Sequence, residues 1–82
     1  MHITVEISYY PLLNAYEQAV WELLDLLKDR PGISVTTGTM SSLIAGEYEP
    51  VIELLRQAMK QLMQKYPSVF TLKIANTCEV RP

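Results

Sequence analysis

The stretch His2–Leu27, HITVEISYYPLLNAYEQAVWELLDLL, changes its hydrophobic period once, and that change decides the fold. From His2 to Tyr10 the period is two: Ile3, Val5, Ile7 and Tyr9 face one way, while Thr4, Glu6, Ser8 and Tyr10 face the other. A run of this kind, rich in β-branched and aromatic residues, predicts a strand with one covered face. Beyond Tyr10-Pro11-Leu12 the period becomes helical. Tyr16, Ala19, Val20, Leu23, Leu24 and Leu27 then form one apolar stripe. Asn14, with Glu17 three residues later, has the form of a capping box. Pro31-Gly32 is a helix stop, and Lys28 and Arg30 are placed for the last turn, where the macrodipole favours cations.

The same two periods recur downstream. Ile33–Thr39 alternates, with Gly38 weakening its end, and a polar corner at Thr39-Met40-Ser41 leads into a shorter extended run, Ser42–Gly46. The pair predicts a hairpin. Pro50 suits the first turn of a second helix, with Glu47, Glu49 and Glu53 at its N-terminal end. Val51, Leu55, Ala58, Met59, Leu62 and Tyr66 make its stripe, Leu54 and Met63 widen it, and Tyr66-Pro67 stops it. A last alternating run spans Val69 to Cys78. The order is β-α-β-β-α-β. Right-handed crossovers then give an α+β, ferredoxin-like βαββαβ plait: a four-stranded antiparallel sheet of order 4-1-3-2, with two helices on one face.

Length and composition set the bounds. Eighty-two residues fit a single domain, residues 1–82. Hydrophobic residues at 49% and charged residues at 20% mark a globular chain rather than a disordered one. Seven Lys and Arg against nine Asp and Glu leave a net charge of −2, and there is no basic run. With no aromatics expected on the exposed side of the central strands, a nucleic-acid partner is excluded as an expectation. The lone cysteine, Cys78, precludes an internal disulfide, suits a reducing, cytoplasmic setting, and is expected to be a small buried group. No apolar run approaches the roughly 20 residues that cross a bilayer, so no membrane insertion is expected.

One sheet face should stay open, lined by Thr4, Glu6, Ser8, Ser34, Thr36, Thr71, Lys73 and Ala75, hydroxyl-rich and nearly free of large apolar groups. Three readings of it stand side by side. It is a solvated face on which Glu6 and Lys73 pair across strands, or a wet dimer interface, or the floor of a small-molecule pocket where Glu6 takes an amino-bearing or cationic ligand. His2 is the only histidine, the glycines form no phosphate loop, and the carboxylates do not pair, so no catalytic set, metal site or enzymatic activity is expected. Trp21 lies off the first helix stripe, as a lone surface aromatic or a subunit contact.

Two segments, Ser8-Tyr9-Tyr10-Pro11-Leu12 before a helix and Thr39-Met40-Ser41-Ser42-Leu43-Ile44-Ala45-Gly46-Glu47-Tyr48, resemble the YkoF-like thiamin/hydroxymethylpyrimidine-binding family, part of a wider thiamin-binding ferredoxin-like superfamily. The resemblance runs from Ile3 to Val80. It implies a non-enzymatic binder of thiamin or its hydroxymethylpyrimidine moiety, acting in vitamin salvage or transport, with no cofactor beyond that ligand. The founding type carries two plaits per chain, so this single plait is expected to assemble as a homodimer or homotetramer. Residue chemistry compatible with that ligand places Glu6 on the ring amine or protonated ring nitrogen, the hydroxyls of Ser8, Thr37, Ser41 and Ser42 around it, and Met40 or Tyr48 against a ring face, with ordinary turn chemistry the alternative for Ser41 and Ser42. The alternative is a regulatory or assembly module whose sheet face and edge strands mediate self-association without a ligand. A small enzyme ranks third.

Overall fold

The period switch is realised as a long strand followed by a helix. The computed structural model describes residues 1–14 and 16–77. Within them run β1 (His2–Pro11), α1 (Tyr16–Leu27), β2 (Ser34–Thr37), β3 (Ser42–Glu47), α2 (Tyr48–Lys65) and β4 (Ser68–Ala75). The strands form one sheet of order β2-β3-β1-β4 with every neighbour antiparallel, the ferredoxin-like α+β arrangement.

Strand register sorts the side chains. Val5 lies opposite both Ile44 and Ile74, and Ile7 opposite Ser42 and Leu72, so these residues share the helix side. Ile3, Val5, Ile7 and Ile44 are at most 2% exposed and pack with Leu23, Leu27, Val51, Leu55, Ala58 and Leu62 from the two helices. Fully burying each large aliphatic side chain contributes about 1.5–3 kcal/mol. Leu54 joins this core, whereas Met63, expected to widen the α2 stripe, is 53% exposed. Ile74, near the end of an edge strand, is 51% exposed despite its register.

Glycine is needed at Gly46, which faces Ile3 across β1–β3. A Cβ there would lie 2.9 Å from the Gly32 carbonyl oxygen and 3.1 Å from Val51 Cγ2. The missing side chain lets β3 approach both the segment entering β2 and the start of α2.

Helix ends depart from the sequence reading in detail. α1 closes at Leu27, ahead of Pro31, and Asp29 takes a left-handed φ of 58° just beyond it. Lys28 and Arg30 therefore lie past the last turn rather than in it. The Arg30 guanidinium still folds back and donates through Nε and Nη2 to the Leu26 carbonyl, at 3.0 and 2.8 Å, satisfying an orphan acceptor. α1 runs from Tyr16, and Ala15, on which the capping box expected at Asn14 depends, lies outside the described residues. Pro50 falls in the first turn of α2, and the Tyr66 N–H donates to Leu62 O at 2.8 Å just before Pro67.

β2 is shorter than its alternating sequence suggests, because Gly38–Ser41 form a turn closed by the Gly38 N–H on the Ser41 carbonyl at 2.8 Å. β4 ends at Ala75 and so stops short of the expected run. Cys78, with the burial expected of it, lies outside the described residues. Among the described residues no helix is long and apolar enough to cross a membrane.

Candidate functional site

At the sheet end where β1 finishes, three elements part from one another. One side of α1, the last residues of β1 and the β2–β3 turn enclose an open cleft of about 380 Å³. Its walls are unlike one another. From β1 come Ile7, Tyr9, Tyr10 and Pro11; from α1 come Tyr16, Val20, Leu23 and Leu24; from the turn come Thr37, Gly38, Thr39, Met40, Ser41 and Ser42.

The aromatic wall is braced. Tyr9 stacks on Phe70 of β4 with centroids 4.4 Å apart and planes 5° from parallel. Its hydroxyl donates to Ser68 Oγ at 3.0 Å, since the Ser68 hydrogen is used on the Tyr66 carbonyl, also at 3.0 Å. Tyr16, by contrast, is 55% exposed at the first turn of α1. The hydroxyl wall follows from the hairpin register. Thr37 pairs with Ser42, and both sit on the helix side of the sheet, the side that opens into the cleft. Ser42 is buried at 6% exposure.

Ser41 stands where the cleft meets the open face. Its Oγ donates to Glu6 Oε2 at 3.0 Å, although Glu6 lies on the far side of the sheet, between Leu43 and Lys73. The Glu6–Lys73 pair expected across β1–β4 is present at 3.8 Å, loose and solvated. Such an exposed pair contributes about 0–1 kcal/mol.

Of the residues implicated from sequence, the structure brings Thr37, Met40, Ser41 and Ser42 together around the cleft. Glu6 reaches it only through Ser41. Ser8 pairs with Thr71 and points to the open face, away from the cleft. Tyr48 starts α2, and its N–H donates to the Met1 carbonyl at the opposite end of the sheet. β3 alone separates it from Ser42 by about 20 Å.

Sequence reasoning missed Tyr9, Tyr10, Tyr16, Val20 and Leu24 as cleft residues. The signal available was the crowding of three tyrosines about the strand-to-helix junction.

The open face carries the eight residues expected of it, but it is less uniformly hydrophilic than predicted. Leu43 sits opposite Glu6 and Thr36, and Tyr10 pairs with Val69. All three apolar side chains are 45–51% exposed. Trp21, at 66% exposure, is a surface residue of α1.

No family model matches the chain, and no curated protein matches it. Solved structures do. Protein SP2199 of Streptococcus pneumoniae superposes with a TM-score of 0.83 at 14% identity, over 92% of this chain and 86% of that one. A Thermotoga maritima protein named "putative thiamine biosynthesis/salvage protein" gives 0.81 at 18% identity, over 94% and 85%. Hypothetical protein MJ1052 of Methanocaldococcus jannascii gives 0.80 at 18% identity, over 98% and 84%. At these identities the likeness establishes a shared fold, to nearly the full length of each chain.

Proposed function

We propose that the protein is a non-enzymatic binder of thiamin or its hydroxymethylpyrimidine moiety, and that the ligand occupies the cleft beside α1. The observation that carries this reading is the pairing of a braced aromatic wall, at Tyr9, with a hydroxyl wall at Thr37, Ser41 and Ser42. A flat heteroaromatic ring bearing an amine needs those two surfaces. At about 380 Å³ the cleft lies within the roughly 300–1,000 Å³ typical of small-molecule sites. Thiamin is a permanent cation, and the Glu6 carboxylate behind Ser41 is a negative charge on that wall. A micromolar site requires about −8 kcal/mol, within reach of ring burial and two or three hydrogen bonds. The name of the Thermotoga maritima neighbour and the motif resemblance point to the same vitamin.

The protein would act in salvage or transport, as a homodimer or homotetramer. The open face, with Leu43 near its centre and Tyr10 and Val69 at one end, is the surface offered to a second copy. Calorimetric titration with thiamin, hydroxymethylpyrimidine and thiamin phosphates tests the binding claim. Micromolar binding of at least one supports it, and no heat up to millimolar ligand refutes it. Sedimentation equilibrium tests assembly, where a concentration-independent monomer mass would count against it.

A further inference from the structure

Building on that reading, we propose that Glu6 sets the hydrogen-bond polarity of the cleft through Ser41, so that the site takes ligands presenting an N–H donor and rejects isosteres presenting a carbonyl. A hydroxyl has one hydrogen and two lone pairs. Ser41 Oγ commits its hydrogen to Glu6 Oε2 at 3.0 Å, a charge-assisted bond to the strongest kind of acceptor a protein offers. A carboxylate has no hydrogen to give back. What Ser41 has left for the cleft is therefore lone pairs.

The backbone holds this arrangement. Gly38 N–H donates to the Ser41 carbonyl at 2.8 Å, fixing Ser41 at the turn, and Glu6 is held mid-strand between β3 and β4. Glu6 is thus a positioning residue that need not touch the ligand. It turns a hydroxyl that would otherwise donate or accept into an acceptor only. For a pyrimidine, the discriminated feature is a 4-amino group against a 4-oxo group of nearly the same shape. A carbonyl at that place would meet Ser41 lone pair to lone pair, with the Glu6 charge behind it.

Calorimetry with hydroxymethylpyrimidine and its 4-oxo isostere tests this on the full chain. The wild-type protein should prefer the amino form by at least about tenfold, a 1.4 kcal/mol difference. Glu6→Gln can donate its amide N–H to Ser41 Oγ, freeing the serine hydrogen to face the cleft, and the preference should fall to near unity or invert. Ser41→Ala should weaken the amino form and erase the preference without unfolding the chain. A merely structural role for Glu6 would lower both affinities together and leave their ratio intact, overturning the inference. Equal wild-type affinity for the two pyrimidines would also overturn it while sparing the binding assignment. Failure of both pyrimidines to bind would overturn the inference together with the binding assignment on which it rests.

Discussion

The two helices carry similar apolar stripes and use them differently. α2 drives Val51, Leu54, Leu55, Ala58 and Leu62 into the core along its length. α1 buries only Ala19, Leu23 and Leu27, while Tyr16, Val20 and Leu24 of the same stripe turn toward the cleft. One helix is spent on stability. The other divides its apolar surface between stability and an open wall, so periodicity alone does not say where a core ends and a binding site begins.

That contrast makes its largest prediction in the core. Leu55→Ala should cost about 2–5 kcal/mol by urea denaturation, because Leu55 is only 2% exposed and its loss leaves a cavity. Leu24→Ala on the cleft wall should cost far less while weakening pyrimidine binding. Similar losses at both positions would erase the distinction between the helices. Next comes Gly46→Ala, at the sheet end remote from the cleft. The added methyl has no room beside Gly32 O and Val51, and about 1–3 kcal/mol should be lost with ligand affinity unchanged. Tyr16→Ala should leave the melting temperature within a few degrees and reduce thiamin affinity roughly tenfold, the worth of one good ring contact. An unchanged affinity would remove Tyr16 from the wall.

The smallest effect concerns the tie between the two helices. Glu22 of α1 accepts from the Tyr66 hydroxyl and from Lys65 Nζ, the latter at 2.9 Å. The Tyr66 bond, with that from Lys65, holds the Glu22 carboxyl below its ordinary value of 4.5. Glu22 conversely holds the Tyr66 phenol and the Lys65 ammonium above their usual values. A depressed acid stabilises the fold above its unfolded value and loses that contribution as pH falls through the folded one. The raised phenol and ammonium contribute below their unfolded values and lose it in strong alkali. The stability gap between wild type and Glu22→Gln should therefore be present at pH 7 and narrow as the pH falls below the ordinary value of 4.5 and through the lowered one. A gap that stayed constant from pH 7 into strong acid would show that the carboxylate is not what joins the helices.

The fold was legible because the periods are clean. Two residues, then 3.6, marks β1 against α1, and the prolines at 11, 31, 50 and 67 punctuate every element. Element ends were less so. Arg30 does its work through a side-chain bond from beyond the helix, and Gly38 belongs to a turn that shortens β2. The candidate site was half legible. Hydroxyls at Thr37, Ser41 and Ser42 drew attention by type, and pairing register put Thr37 and Ser42 on the helix side. Alternation placed Glu6 on the other face, and nothing in the sequence shows Ser41 reaching round the sheet end to meet it. Tyr48 lies in a motif beside Ser42 in sequence, yet an extended β3 carries it to the far end.

Amide chemical-shift mapping with hydroxymethylpyrimidine tests the cleft assignment most directly. The account predicts perturbations concentrated in Tyr9–Leu12, Tyr16–Leu24 and Thr37–Ser42, with Tyr48 and the middle of α2 unmoved. Perturbations clustered on the open face or around Tyr48, or none at saturating ligand, would contradict it.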